Sequence, residues 1–318
     1  MKKTVLYIIF LFSVNINCRA GEIINYADLA RYYIVLVGEN HGIAKSYDVE
    51  LEMFEYVYKN QAIKHLFIEV GYCSSQLLNR YIQTGNSMYL NTVFSNLQGT
   101  SGCSIEYYNF FIKLREKCPE VILHGVDVEH QWQSLGISYL FLLLSEHEKI
   151  EHIPLWSVPG NLDGFLRYYE NNKDNYTVLG DDLEEFDRGI VAVRQGIAYT
   201  TNGDQHAAAK YREETMTFNF ENEYSKLSHK KVFGIFGVAH TGLDDNGFSG
   251  NYSCMAKSLK EKYGDIIASI DLVYNNCRIM NTNFWFGELI RNTNTRPNQS
   301  AQYYRTIQDS PAAVHWRF

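Results

Sequence analysis

Apolar runs along the chain break off in a Glu, His or Asp beside glycine, and they do so four times. Residues 34–37 form a β-branched stretch without alternation, the pattern of a strand buried on both faces. It runs into Gly38-Glu39-Asn40-His41-Gly42. Residues 66–70 end in Glu69-Val70-Gly71, residues 121–128 contain Gly125 and Asp127 and lead to Glu129, and residues 231–238 lead to His240. Between the first strands the apolar spacing changes to that of helices. Val49, Met53 and Val57 share a face over 46–60, with Ser46 as N-cap. Residues 74–84 close at Gly85, and residues 105–117 stop before Pro119.

The order of strand, helix, strand, helix predicts an α/β fold of three αβα layers around a mostly parallel sheet. Residues 86–103, rich in Asn, Ser and Gly, read as an irregular insertion, and 131–147 as one apolar helix. Residues 152–160 carry two prolines and read as a loop. Helices follow at 163–172, 181–199 and 204–227 with no strand between them, so 152–227 is expected to be a helical insertion capping one sheet edge. A helix at 252–263 and strands at 266–274 and 303–308 complete the reading.

In an open parallel sheet the carboxyl ends of the strands share one rim, where ligands bind. The four polar signatures would then meet in one pocket. Glu39 and His41 stand two apart, so on extended backbone they point the same way and the carboxylate can orient the imidazole. His41 is the candidate general base or, with Glu39, part of a metal-ligand pair. Glu69 needs a partner or a cleft, because an isolated buried charge is very costly. His240 mirrors His41 at another strand end. Asp127 and Glu129 face the same way on the third strand by the same period-two argument, and are candidate substrate-binding groups. Arg212 has Ala208, Ala209, Met216 and Asn219 on its helix face, which leaves room for its guanidinium to clamp a carboxylate or steady an oxyanion. The alternative for Arg212 is an ion pair with Glu213 or Glu214. His206 lies on another face and is expected to be exposed.

The N-terminus and composition set the context. Lys2 and Lys3, an apolar run from Thr4 to Val14 too short to span a bilayer, and Cys18-Arg19-Ala20 read as a secretory signal peptide over residues 1–20. The remaining 21–318 would be a single domain, exported to a periplasmic, outer-envelope or secreted location. Cys18 also offers membrane attachment as a lipidated cysteine, although Asn17 stands where a small residue is expected. Removing the leader leaves 26 Lys and Arg against 36 Asp and Glu, a formal charge of −10 that argues against nucleic acid as a partner. Without Cys18 five cysteines remain, with Cys73/Cys103 and Cys254/Cys277 as candidate disulfides. There is no Gly-x-Ser-x-Gly elbow, P-loop or GxGxxG, which disfavours a serine nucleophile or a nucleotide site.

Two segments resemble the erythromycin esterase-like proteins, within the superfamily that joins them to ChaN-like haem-binding proteins and the Tiki/TraB group. Gly38-Glu39-Asn40-His41-Gly42 looks like the family's Gly-Glu-x-x-His-Gly turn with one residue deleted, nearer the Gly-Glu-x-His form of the ChaN-like relatives. Arg212-Glu213-x-x-Met216-x-x-Asn219, leading into a strand that ends in His240, looks like the family's Arg-Asp-x-x-Met-x-x-Asn segment. Glu69 takes the place of the Glu ending the family's second strand. Where the family often has Arg after its first His, this chain has Ala44 followed by Lys45, a candidate substrate-binding cation. The resemblance implies metal-independent hydrolysis of a small-molecule ester or acyl bond. His41 would be the base, oriented by Glu39 or Glu69, with Arg212 and His240 on the substrate carbonyl. No cofactor is expected on this reading. Its rivals are a hydrolase of the Tiki-like kind holding a divalent metal on Glu39, His41, Glu69 and His240, and a non-catalytic haem-binding envelope protein.

Overall fold

The computed structural model describes residues 26–147, 162–244, 251–272, 278–280, 304–306 and 314–317. The leader at 1–20, the loop at 152–160 and Cys277 lie outside the described residues. A six-stranded sheet has the order β3-β2-β4-β1-β5-β8. Its strands are β1 (Ile34–Glu39), β2 (His65–Gly71), β3 (Ile122–Asp127), β4 (Val232–Gly237), β5 (Ile267–Leu272) and β8 (Val314–Arg317). The first five in that order are parallel, and β8 runs antiparallel beside β5. β6 (Arg278–Met280) and β7 (Tyr304–Thr306) form a separate antiparallel pair. The strand expected at 303–308 is therefore not the last strand of the main sheet.

All six β1 residues are buried, which explains their lack of alternation. Val35 and Val37 enter one core, while Ile34 and Leu36 enter the other. The first core lies under α1 (Ala44–Gln61), α2 (Tyr72–Thr84), α3 (Ser87–Asn96), α4 (Ile105–Lys117), α5 (Ile137–Ser145), α6 (Leu162–Asn171) and α7 (Leu183–Thr201). The second lies under α8 (Gln205–Lys226) and α9 (Met255–Tyr263), whose Met216, Phe220, Met255 and Leu259 meet Phe67, Val232 and Phe236. These are the three layers expected from the strand and helix order.

Three local readings need correction. Residues 86–103 are not irregular throughout, because α3 occupies the first half. Asn86 caps it by accepting the Met88 N–H at 3.0 Å, and Leu90, Val93 and Phe94 bury one face. The single helix at 131–147 is broken into a π turn, Trp132–Gly136, and α5. Gly136 lies close enough to Val193 that a Cβ there would stand 2.8 Å from its methyl group. The cap at 152–227 divides as well: α7 packs on α2, α5 and α8, whereas α8 lies on β3 and is itself a layer of the fold.

The exposed edge of β3 is closed by a side chain. Asn79 on α2 donates to the Leu123 carbonyl at 2.9 Å and accepts the Leu123 N–H at 2.8 Å, replacing the missing neighbouring strand. Asn79→Ala strands both buried groups and is expected to cost about 1–3 kcal/mol in urea unfolding. An unchanged midpoint would show that the edge needs no such seal.

Candidate functional site

The sheet register brings the polar signatures together. Glu39 pairs with Gly237, and Gly71 with Asp127, so β1, β2, β3 and β4 end on one rim. The β2–β3 ladder shifts between Ile68 and Gly71, which turns Glu69 across the rim. A cavity of about 370 Å³ opens there, lined among others by Glu39, His41, Glu50, Glu69, Asp127 and Arg212.

Glu69 is the centre of the arrangement. Its Oε1 accepts from Arg212 Nη2 at 2.5 Å and lies 3.3 Å from His240 Nε2 and 3.5 Å from His41 Nε2. Its Oε2 accepts the Gly237 N–H at 2.5 Å. Burial opposes its charge, but His240 and Arg212 outweigh burial and hold the carboxyl well below its ordinary range. Arg212 also binds Asp127 in a fork, Nε to Oδ1 at 2.9 Å and Nη2 to Oδ2 at 2.6 Å. Asp127 accepts from the Val128 N–H at 2.8 Å and pairs with His130 Nε2 at 3.1 Å. Arg212, then His130, keep it ionised against its burial.

His41 is the most open of these groups, with 45% of its side chain exposed. Its Nδ1 pairs with Glu39 Oε1 at 2.6 Å, as the two-residue spacing predicts. Burial works against a charged ring, but Glu39 and Glu69 prevail and push its pKa up to about 11. Water around the open ring screens part of that attraction. Gly237 makes this approach possible, because a Cβ there would stand 2.7 Å from His41 Nε2.

His240 lies deeper. Its Nδ1 pairs with Glu213 Oε1 at 2.6 Å, and its pKa is pushed up to about 10 by Glu69 and Glu213 against burial. Glu213 Oε2 accepts the Met255 N–H at 2.8 Å, at the start of α9. Neighbours on α8, Arg212 and Glu213, thus serve different partners. The reading of Glu213 as an ion-pair partner for Arg212 does not hold.

The structure assembles Glu39, His41, Glu69, Asp127 and Arg212 around the cavity, with His240 behind Glu69 rather than on the cavity wall. Two candidates fall elsewhere. Glu129 is fully buried and bound by the Ser74 hydroxyl at 2.6 Å and the Ser74 N–H at 3.1 Å, because β3 ends at Asp127 and the alternation stops there. Lys45 is exposed on the first turn of α1 and is not among the cavity residues. His206 is exposed, as expected.

Sequence reasoning missed Glu50, His130 and Glu213. Glu50 had a readable signal, since it shares the buried face of α1 with Met53, Phe54 and Val57. The candidate disulfide between Cys73 and Cys103 is not formed.

A divalent metal does not fit these donors well. Arg212 already holds the cation's place on Glu69 Oε1, the oxygen that the Nε2 atoms of His41 and His240 face. Among the described residues no group of three His, Cys, Asp or Glu side chains is arranged to hold an ion.

No protein-family model and no curated protein sequence matches the chain. Solved structures do. A Bacillus cereus protein solved as a structural-genomics target superposes with a TM-score of 0.59 at 16% identity, over 80% of this chain and 70% of its own. A succinoglycan biosynthesis protein gives 0.51 at 14% identity, over 78% and 69%. A histidine-to-asparagine mutant of the erythromycin esterase EreC, in its open conformation, gives 0.50 at 13% identity, over 78% and 73%. The chain therefore has the αβα fold of the erythromycin esterase-like proteins.

The ion network sets a pH dependence of stability. His41 and His240 are raised above 6.5, so their contribution is complete below about pH 6.5 and declines as pH rises toward 10–11. Glu69 and Asp127 are lowered, so theirs is present above their ordinary values of 4.5 and 3.8 and is lost on acidification. The urea midpoint should be highest between about pH 4.5 and 6.5 and fall steadily toward pH 10. A flat midpoint from pH 6.5 to 10 would contradict the network.

Proposed function

We propose that the protein hydrolyses an ester or related acyl bond of a small molecule with a water activated at His41. The observation that carries this reading is the 2.6 Å Glu39–His41 pair, whose imidazole stands open to the cavity beside Arg212. The fold shared with EreC supports the same class of chemistry. The basic start and apolar run of residues 2–14 support an exported enzyme.

The acyl carbon sits above His41 Nε2. Water attacks that carbon as Nε2 takes its proton, and Glu39 holds the resulting imidazolium through Nδ1. The carbonyl oxygen gains the negative charge. Arg212 spends Nε and Nη2 on Asp127 and Glu69, and Nη1 is left for that oxygen. Asp127, His130 and Asn219 are positioning residues. Asn219 donates to the Val126 carbonyl at 3.0 Å and fixes α8 against the strand that carries Asp127. The tetrahedral intermediate collapses with cleavage of the bond to the leaving oxygen, which takes the proton back from Nε2. His240 supports Glu69 from below and does not touch substrate.

His41 acts as a base only in its neutral form, and the two carboxylates favour the charged form to about pH 11. The value of kcat/KM should therefore climb with pH across the neutral and mildly alkaline range. His41→Ala is expected to lower turnover of p-nitrophenyl acetate by about 10²–10⁴-fold with the circular dichroism unchanged. Retained activity in the folded variant, or a rate that falls as pH rises from 7 to 9, would remove His41 from this role.

A further inference from the structure

The first core does not cover all of its apolar surface near the sheet rim. Val70 on β2, Ile235 on β4, Leu97 just past α3 and Tyr107 on α4 each pack on that core, and each also lines the cavity. All four are only half-buried, so part of each remains open. Glu50 on α1 acts on the Tyr107 hydroxyl but brings no charge to this wall, because burial, and then Glu39, raise its pKa well above the carboxylate range. The same small cavity therefore joins an ionic rim, where His41 and Arg212 stand, to a wall of uncovered carbon. Apolar surface left in a cavity gains from any ligand that brings carbon to it.

The wall is also fixed in place. The Leu97 carbonyl accepts the Thr100 N–H at 2.9 Å and the Thr100 hydroxyl at 2.8 Å, and the Thr100 carbonyl accepts the Cys103 N–H at 3.0 Å. Tyr108 donates to Asn91 Oδ1 at 2.8 Å and ties α4 to α3. Phe94, fully buried on α3, stands edge-on to Tyr108 and Phe111 with centroids 5.1 and 6.1 Å apart. Leu97 is thus held from both sides and sets a limit on size. The cavity of about 370 Å³ lies near the lower end of the roughly 300–1,000 Å³ of small-molecule sites.

We propose that the substrate is an ester of an unbranched aliphatic acid, whose acyl chain lies against Val70, Leu97 and Tyr107, and that Leu97 sets the length of chain accepted. A narrow chain fills this space beneath a wall that does not yield, whereas a large ring does not fit it. The acyl half takes the wall because the leaving half must depart past His41, the most open group of the site. Placing the chain on the acyl half of an ester rests on the hydrolase reading above; the apolar wall and its preference for a chain do not.

Calorimetric titration of the whole chain with methyl ethyl, methyl butyl and methyl hexyl ketone reads the wall without catalysis, since these carbonyl compounds have no bond to hydrolyse. Affinity is expected to rise roughly fourfold for each added methylene until the cavity is filled. For p-nitrophenyl esters, kcat/KM should rise by a similar factor from acetate through butyrate to hexanoate. The hexanoate should exceed the cyclohexanecarboxylate by roughly tenfold or more. Leu97→Trp should move the optimum to a shorter acid and Leu97→Ala to a longer one, with the melting temperature of each checked separately. A wild-type series that is flat from acetate to hexanoate, or that favours the cyclic acid, overturns the proposal and needs no variant to do so. An optimum that stays in place in both folded variants overturns it too. Esters cleaved without regard to chain length, with equal ketone affinities, keep the hydrolase and remove the chain site. Ketone affinities that rise with length while no ester is cleaved keep the chain site and remove the hydrolase.

Discussion

Glu69 lies near the end of β2 with its side chain only 10% exposed, and an isolated charge in that position would be prohibitively costly. The chain answers with the Gly237 N–H, the Arg212 guanidinium and two imidazoles, drawn from three separate parts of the sequence. Satisfying one buried anion therefore fixes the relative positions of the β1 exit, the β4 exit and α8. Removing Glu69 would leave Arg212 with Asp127 alone and His240 with Glu213 alone, and would unpair the Gly237 N–H, a more serious fault than the loss of a single bond. The rest of the site inherits its geometry from this node.

Adjacent residues on α8 show how a helix can serve two networks. Arg212 reaches the rim and is held in a fork by Asp127, while Glu213 turns to His240 and the start of α9. The result is a row of alternating charges running from the α9 terminus through Glu213, His240, Glu69 and Arg212 to Asp127. Such a row is rigid because every member is partnered on two sides. Only its outer end departs from this pattern: the His41 ring is open, and Glu39 Oε2 and Glu50 Oε1 are buried without a hydrogen-bond partner. Chemistry is expected where partners are missing, not where they are complete.

Much of this was legible in the sequence. Unalternated apolar runs located β1, β2, β4 and β5, because strands covered on both faces have no reason to alternate. The convergence of Glu39, His41, Glu69 and Asp127 followed from the rim rule for parallel sheets, whereas Arg212 was singled out by the small residues on its helix face and by the family resemblance. The failures have physical causes. Glu129 was placed beside Asp127 by a period-two argument that lapses where the strand stops. α3 was hidden by its Asn and Ser content, although Asn86 was acting as a cap. Glu50 was overlooked because attention fell on strand ends, and the signal was a carboxylate on the buried stripe of a helix. His130 had no pattern around it; only the bond to Asp127 gives it a place.

The central claim is that buried carboxylates keep the two rim histidines charged. Nitrogen-15 NMR of histidine-labelled protein, titrated from pH 6 to 11, reads the protonation of each ring directly, with His41→Ala and His240→Gln for assignment. The account predicts that His240 and His41 remain imidazolium at pH 8 and lose their protons only near about 10 and about 11. Two rings that titrate near 6.5, the ordinary histidine value, would contradict it.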